Sequence, residues 1–69
     1  ERTPVSSTNI NSIGYDANTE TLDVEFSNGG IYRYSGVPQG VYDAFISASS
    51  IGQFHHGNIK NQYSYEKIG

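Results

Sequence analysis

The strongest structural signal in the sequence is a β-hairpin across residues 21–35. The segment TLDVEF alternates apolar and polar side chains, as a strand with one buried face does. Asn28-Gly29-Gly30 follows, and glycine after asparagine favours a tight reversal of the chain. The segment IYRYS then returns as the second strand. These residues predict two adjacent antiparallel strands joined by a glycine-rich turn.

The length of this turn decides where Tyr32 and Tyr34 point. A two-residue turn would place both tyrosines on the polar face, beside the acidic residues of the first strand. A turn made of all three residues instead pairs Phe26 with Tyr32, and Glu25 with Arg33. We favour the three-residue turn, because burial of two aromatic rings outweighs a surface ion pair. Tyr32 and Tyr34 are then core residues whose hydroxyls need partners at the rim of the core.

The hairpin is preceded by a further strand and followed by helices. Residues 12–16, SIGYD, predict a short strand. Pro38 suits the first turn of a helix, and apolar residues then recur at helical spacing. Ser49 or Ser50 is expected to stop this helix and cap a short second one, which Gly57 ends. The stripe of the main helix comprises Val37, Val41, Ala44, Phe45 and Ala48.

This order of elements predicts a small α+β fold. We expect an antiparallel β-meander of three to four strands, with one main helix and a short second helix packed on one face. The segment NQYSYEKI is either the fourth strand or an extended tail. We expect residues 1–9 to be a flexible lead-in and residues 10–69 to be one domain. The predicted core comprises Tyr15, Leu22, Val24, Phe26, Tyr32, Tyr34, Val41, Phe45, Phe54 and Ile59.

Size and composition limit the functional classes. The chain has 69 residues and no cysteine, so neither disulfides nor thiolate metal sites stabilise it. It has four Lys and Arg residues against seven Asp and Glu residues, which argues against a general nucleic-acid binder. No apolar run is long enough for a membrane span, so we expect a cytoplasmic protein without membrane contact. The absence of an initial methionine suggests a piece of a longer protein.

Several short motifs together resemble the KTSC domain, and the resemblance covers about residues 7–68. They are Ser12-Ile13-Gly14-Tyr15, Leu22-x-Val24-x-Phe26, Gly29-Gly30, Tyr32-x-Tyr34, Val37-Pro38, Ala48-x-Ser50-x-Gly52, Ile59-Lys60 and Tyr63-x-Tyr65. That domain is named for its place at the C-terminus of some lysyl-tRNA synthetases, and it also occurs as a stand-alone bacterial or phage protein. The resemblance implies no enzymatic role, and the attachment to synthetases suggests RNA binding.

A binding module for RNA or a nucleotide is therefore our first functional hypothesis. Tyrosine rings stack on bases, and cations neutralise phosphate. The candidate ligand-binding residues are Arg33, Lys60, Tyr63, Tyr65 and Lys67, with His56 as a candidate base contact. In a phage-encoded protein, such a site would suit sequestration of a small nucleotide signal. The rival hypothesis is a protein partner or a homo-oligomer, because tyrosine is also enriched at protein interfaces.

Two other site chemistries are weaker hypotheses. His55 and His56 are adjacent, so on a helix they point about 100° apart and share one metal ion poorly. We interpret them as rim histidines, or as a packed replacement for an aromatic residue, and expect neither metal nor cofactor. A hydrolase triad of one serine, one histidine and Asp43 lacks any supporting motif. We therefore expect a non-enzymatic domain.

Overall fold

The chain forms an antiparallel sheet that is covered on one face by helices. The computed structural model describes residues 3–4 and 9–69. The strands are β1 (Thr3–Pro4), β2 (Ile10–Asp16), β3 (Thr21–Phe26), β4 (Ile31–Tyr34) and β5 (Tyr65–Lys67). The helices are α1 (Gln39–Ile46) and α2 (Ile51–Phe54), and a π-helical segment (His55–Ile59) continues α2.

Among the described residues, the sheet has five strands in the order β1-β2-β3-β4-β5, and each strand pairs antiparallel with the next. The predicted α+β class is confirmed, as are the predicted strands at β2, β3 and β4. The C-terminal segment forms a strand at β5, although Tyr63 lies before it. The sequence analysis did not predict β1.

The hairpin between β3 and β4 has a different register from the favoured one. Leu22 lies opposite Tyr34, and Val24 lies opposite Tyr32, so the pairing is displaced by two residues from our prediction. Glu25 therefore faces Ile31 rather than Arg33. Because side chains alternate with a period of two, a two-residue displacement leaves the tyrosines on the apolar face. Tyr34 is accordingly buried, with 3% of its surface exposed.

The turn itself explains the displaced register. The backbone N–H of Phe26 donates to the carbonyl of Gly30, so the three loop residues are Ser27, Asn28 and Gly29. Gly29 adopts a φ of 94°, which glycine tolerates better than other residues. The Asn28 side chain accepts a hydrogen bond from the Gly30 N–H at 2.9 Å. The three-residue loop thus begins one residue earlier than predicted, at Ser27 rather than Asn28, and pairing resumes at Gly30.

Helix α1 packs through fewer residues than its sequence pattern predicts. Pro38 is the N-cap in an extended conformation, and Phe45 is the buried residue of α1. Val37 precedes the helix and is buried, whereas Ala44 is exposed, contrary to prediction. Tyr42, which the predicted stripe omits, packs against the core instead. Its ring stacks on the ring of Tyr15, with 4.7 Å between the ring centroids.

The second helix is longer than predicted because it changes its hydrogen-bonding pattern. Ser50 caps α2 as expected, and its side chain accepts from the backbone N–H of Gln53 at 3.3 Å. Gly57 does not end the helix, as we had expected it to. The Lys60 N–H donates to the His55 carbonyl at 2.8 Å, a spacing typical of a π-helix. The helical path therefore continues to Ile59, which is fully buried.

The core lies between the inner face of the sheet and the helices. Every predicted core side chain is either buried in it or packed against it. The buried set also includes residues that our core prediction omitted, namely Ile10, Ile13, Val37 and Ile51, together with the polar His55. Within the described residues, no helix combines the length and apolar character needed to cross a membrane.

The predicted lead-in over residues 1–9 falls mainly outside the described residues. Thr3 and Pro4 are described, and they pair with Ile13 and Ser12 of β2. At these two positions the backbone is therefore part of the sheet.

Candidate functional site

An open groove of about 610 Å³ lies between the inner face of the sheet and the helical segment that covers it. We call it the tyrosine groove. Its lining comprises Asn9, Ile10, Phe26, Ser27, Asn28, Tyr32, Tyr34, Gly52, His55, His56, Lys60 and Tyr65. This volume falls within the range of about 300–1,000 Å³ that is common for small-molecule sites.

One wall of the groove is a cluster of tyrosine rings from β4 and β5. Tyr34 lies directly opposite Tyr65 in the sheet, and their ring centroids are 5.6 Å apart. The Tyr32 ring contacts Tyr65 at 5.7 Å. Tyr65 remains 57% exposed, because β5 is the last strand of the sheet. The wall therefore presents an aromatic surface to any ligand that enters the groove.

The floor of the groove is a buried pair of Tyr34 and His55. The Tyr34 hydroxyl lies 2.8 Å from His55 Nε2. Burial lowers the pKa of His55 to about 4, with smaller contributions from Lys60 and His56. Burial also raises the pKa of Tyr34 to about 12. Both side chains are therefore neutral near pH 7, so the floor carries no charge.

His55 occupies its position as an aromatic side chain would. Its ring makes edge contacts with Phe26 at 5.1 Å and with Tyr34 at 5.6 Å. His56, the next residue, is exposed and lines the groove. The interpretation of His55 as a packed replacement for an aromatic residue agrees with these contacts, and His56 is a rim histidine.

Lysines lie beside the aromatic wall. The π-helical segment ends next to Lys60, which lines the groove. Lys67 lies opposite Tyr32 in the sheet and so projects from the same face. Among the described residues that line the groove, none is an aspartate or a glutamate. Although the chain has a net charge of −3, the groove is thus lined by a cation, Lys60, and by no carboxylate among its described residues.

Arg33 lies away from the tyrosine groove, on the outer face of the sheet. Its guanidinium donates to both carboxylate oxygens of Asp23, at 2.8 and 3.0 Å. The hydrogen bond and the charge of Asp23 raise the pKa of Arg33, and Glu66 contributes in the same direction. The ion-pair partner is therefore Asp23, and the predicted partner Glu25 instead accepts a hydrogen bond from Ser12.

The structure divides the predicted ligand-binding set. Lys60, Tyr65 and His56 line one groove, with Lys67 on the same face of the sheet. Arg33 instead lines a second depression, of about 400 Å³, on the outer face. Tyr63 is partly buried and packs against the core. The predicted set is therefore not one site.

The groove also contains residues that the sequence analysis did not assign to a site. Tyr32 had been assigned only to the core, and Asn28 only to the turn. Tyr32 lies beside Lys67 because β4 pairs with β5. Assigning Tyr32 to the site therefore requires the register between these two strands, which neither segment shows by itself.

The weaker site chemistries gain no support from the geometry. Among the described residues, no group of three or more His, Cys, Asp or Glu side chains could hold a metal ion. His55 Nε2 is next to Tyr34, and the Ser50 hydroxyl accepts from the helix backbone. Neither residue is arranged as part of a serine–histidine pair.

These features define a small α+β domain with a tyrosine-lined groove on its helical side. The model of the KTSC domain family matches residues 6–63. The chain therefore belongs to the KTSC domain family, as the resemblance of its motifs implied. A crystal structure of a KTSC domain protein from Yersinia pestis has a TM-score of 0.97 and 45% identity to this chain. The match covers 100% of this chain and 97% of that protein.

Relatives occur both alone and within larger proteins. An uncharacterized protein of Stutzerimonas stutzeri is 39% identical over 69 residues, which is 99% of this chain and 97% of the relative. A lysine–tRNA ligase of Nostoc is 41% identical over 59 residues, which is 86% of this chain. The match spans 10% of that ligase. The domain is therefore similar both to a stand-alone protein and to a small part of a synthetase.

Proposed function

We propose that this domain is a non-enzymatic, cytoplasmic binding module that takes an RNA or nucleotide ligand in the tyrosine groove. One observation carries the proposal: in a chain of net charge −3, the groove has an exposed tyrosine and a lysine and no carboxylate among its described lining residues. Such a site suits a ligand that is both aromatic and anionic.

The aromatic wall supports the stacking part of this proposal. Tyr65 is 57% exposed and has ring contacts with Tyr32 and Tyr34 that hold it in place. A preformed ring of this kind loses little conformational freedom when a base stacks on it. Stacking of one base on an aromatic side chain contributes about 1–3 kcal/mol.

The family relationship supports the nucleic-acid part. Several relatives are lysine–tRNA ligases, which act on tRNA, and the matching region is a small part of each. A module attached to such an enzyme has an RNA substrate close by. This association also favours a cytoplasmic location.

Substitutions on the two faces of the sheet test the proposal. We expect Lys60→Ala and Tyr65→Ala each to weaken binding of a short, mixed-sequence, fluorescently labelled RNA by about tenfold, measured by anisotropy at low salt. Arg33→Ala is the matched control, because it removes a cation from the outer face, and its affinity should equal that of the parent. Equal losses for all three variants, or no binding by the parent to RNA or to any nucleotide, would contradict the proposal.

A protein partner or self-association is the second candidate function, and exposed apolar residues at the β5 edge favour it. Tyr65 is 57% exposed and Ile68 is 42% exposed at the end of the sheet. An added strand could pair there. Salt distinguishes the candidates, because binding through phosphate weakens steeply as salt increases and a tyrosine-lined protein interface does not. Analytical ultracentrifugation of the chain alone measures self-association directly.

A further inference from the structure

The number and placement of cations limit the ligand that the tyrosine groove can hold. We infer that its ligand is a single nucleotide bearing one phosphate group, not an extended RNA strand. This inference rests on the proposed function and narrows it to one class of ligand.

The first argument is a count of cations. The whole chain has four Lys and Arg residues. Arg2 lies outside the described residues, and Arg33 is bound to Asp23 on the outer face. Lys60 and Lys67 are therefore the described lysine and arginine residues on the groove face. A terminal phosphate carries a charge of about −1.5 to −2 near pH 7, which Lys60 and Lys67 together balance.

The second argument is the charge around the groove. Asp23, Glu25 and Glu66 alternate with the groove-facing residues of their strands, so they project from the outer face of the sheet. An RNA strand that ran beyond the groove and around the β5 edge would bring further phosphates towards these carboxylates. Repulsion there disfavours a long ligand, whereas a single nucleotide stays on the cationic side.

The third argument is the position of the lysines relative to the aromatic wall. Lys60 approaches from the helical side of the groove, and Lys67 lies opposite Tyr32 on the sheet. The Lys67 Cε atom also lies near Gly30, within 3.7 Å of where a Cβ on that residue would be. The cations thus come from two different elements, Lys60 from the end of the helical segment and Lys67 from β5, so a phosphate bound between them would lie beside the aromatic wall.

Calorimetric titration of the full chain with ligands of increasing length tests this inference. The ligands are the nucleoside monophosphates of the four RNA bases, the matching nucleosides, and RNA homo-oligomers of about eight nucleotides. We expect at least one monophosphate to bind about tenfold more tightly than its nucleoside. We also expect the oligomer to gain no more than about threefold in affinity over the monophosphate. The salt dependence should correspond to about two neutralised charges for both ligands.

Variants assign the phosphate contact. Lys60→Ala and Lys67→Ala should each lower monophosphate affinity by about tenfold and leave nucleoside affinity unchanged. Arg33→Ala should change neither affinity. A nucleoside that binds as tightly as its monophosphate would overturn the phosphate assignment.

The outcomes separate this inference from the proposed function. If oligomers bind and monophosphates do not, and affinity increases with length, the single-nucleotide inference is wrong and the RNA-binding function stands. If no monophosphate, nucleoside or oligomer binds, both are wrong. If monophosphates bind but the lysine variants bind equally well, the phosphate lies elsewhere and the inference is wrong.

Discussion

His55 lies in surroundings unlike those of an ordinary, solvent-exposed histidine. It is 8% exposed, lies 2.8 Å from the Tyr34 hydroxyl, and is packed among Phe26, Phe45 and Tyr34. A protonated imidazolium there would lack the solvation that water provides. The sequence alone does not distinguish His55 from His56, because only the path of the helix decides which of the two faces the core.

The shifted pKa of His55 predicts a pH dependence of stability. The pKa is about 4 in the folded chain and 6.5 for an ordinary histidine. Between these values the unfolded chain binds a proton that the folded chain does not, so the free energy of unfolding decreases as pH falls. The decrease should reach at most about 3 kcal/mol, and above about pH 6.5 this contribution should be constant.

Urea denaturation between about pH 7.5 and pH 4.5 measures this effect. The His55→Gln variant keeps a polar partner for Tyr34 but cannot titrate, so its stability should depend less on pH than that of the parent. His56→Gln is the control, because His56 is exposed, and it should keep the parent slope. Identical slopes for the parent and His55→Gln would show that His55 is not the responsible group.

At the scale of elements, the hairpin between β3 and β4 shows what a sequence pattern can predict. The alternation in TLDVEF assigns the two faces correctly, because that assignment depends only on a period of two. The register depends instead on which residue takes the left-handed conformation. Gly29 and Gly30 both suit that role chemically, and only the structure shows that Gly29 takes it.

Glycine substitutions test this assignment. Gly29→Ala should lower the free energy of unfolding by about 1–2 kcal/mol, because alanine is strained at a φ of 94°. Gly57→Ala is the matched control, because an added Cβ there meets nothing within 4 Å. Since Gly57 lies inside the π-helical segment, alanine should leave stability unchanged or raise it by up to about 1 kcal/mol. Urea denaturation of both variants gives the comparison, and equal effects would contradict the assigned turn.

The π-helical segment is the element that the sequence predicts least well. Glycine is common after the end of a helix, so Gly57 was interpreted as a stop. The helical path continues instead, because Ile59 is buried against the core and Lys60 donates to the His55 carbonyl. Tertiary burial therefore overrides the local preference, and this continuation brings Lys60 to the groove.

At the scale of the whole molecule, the sheet separates charges between its two faces. Asp23, Glu25 and Glu66 belong to the outer face, whereas Lys60 and Lys67 belong to the groove side. Although the chain has a net charge of −3, the groove side therefore carries a local excess of positive charge. The whole-chain charge argues against a general nucleic-acid binder, but this distribution of charge leaves a cationic groove side that suits the proposed phosphate-bearing ligand.

The two faces of the sheet also divide the residues that the sequence assigns to the site. Lys60, Tyr65 and Lys67 are close together along the chain, so the sequence alone predicts that they belong to one site. Arg33 is predicted as a phosphate contact because it is a cation, but alternation along β4 turns it to the face opposite Tyr32 and Tyr34. Tyr32 was excluded from the site because it belongs to the core, although it also forms part of the groove wall.

One measurement tests the central claim that the groove side of the sheet binds the ligand. Backbone amide shifts in ¹⁵N-HSQC spectra are followed during titration with nucleoside monophosphates and with a short mixed RNA pool, at about 50 and about 200 mM salt. We predict shifts at His56, Lys60, Tyr65 and Lys67 that weaken at the higher salt, and unchanged positions for Asp23 and Arg33. Shifts centred on Asp23 and Arg33, or no shifts with any ligand, would contradict the account.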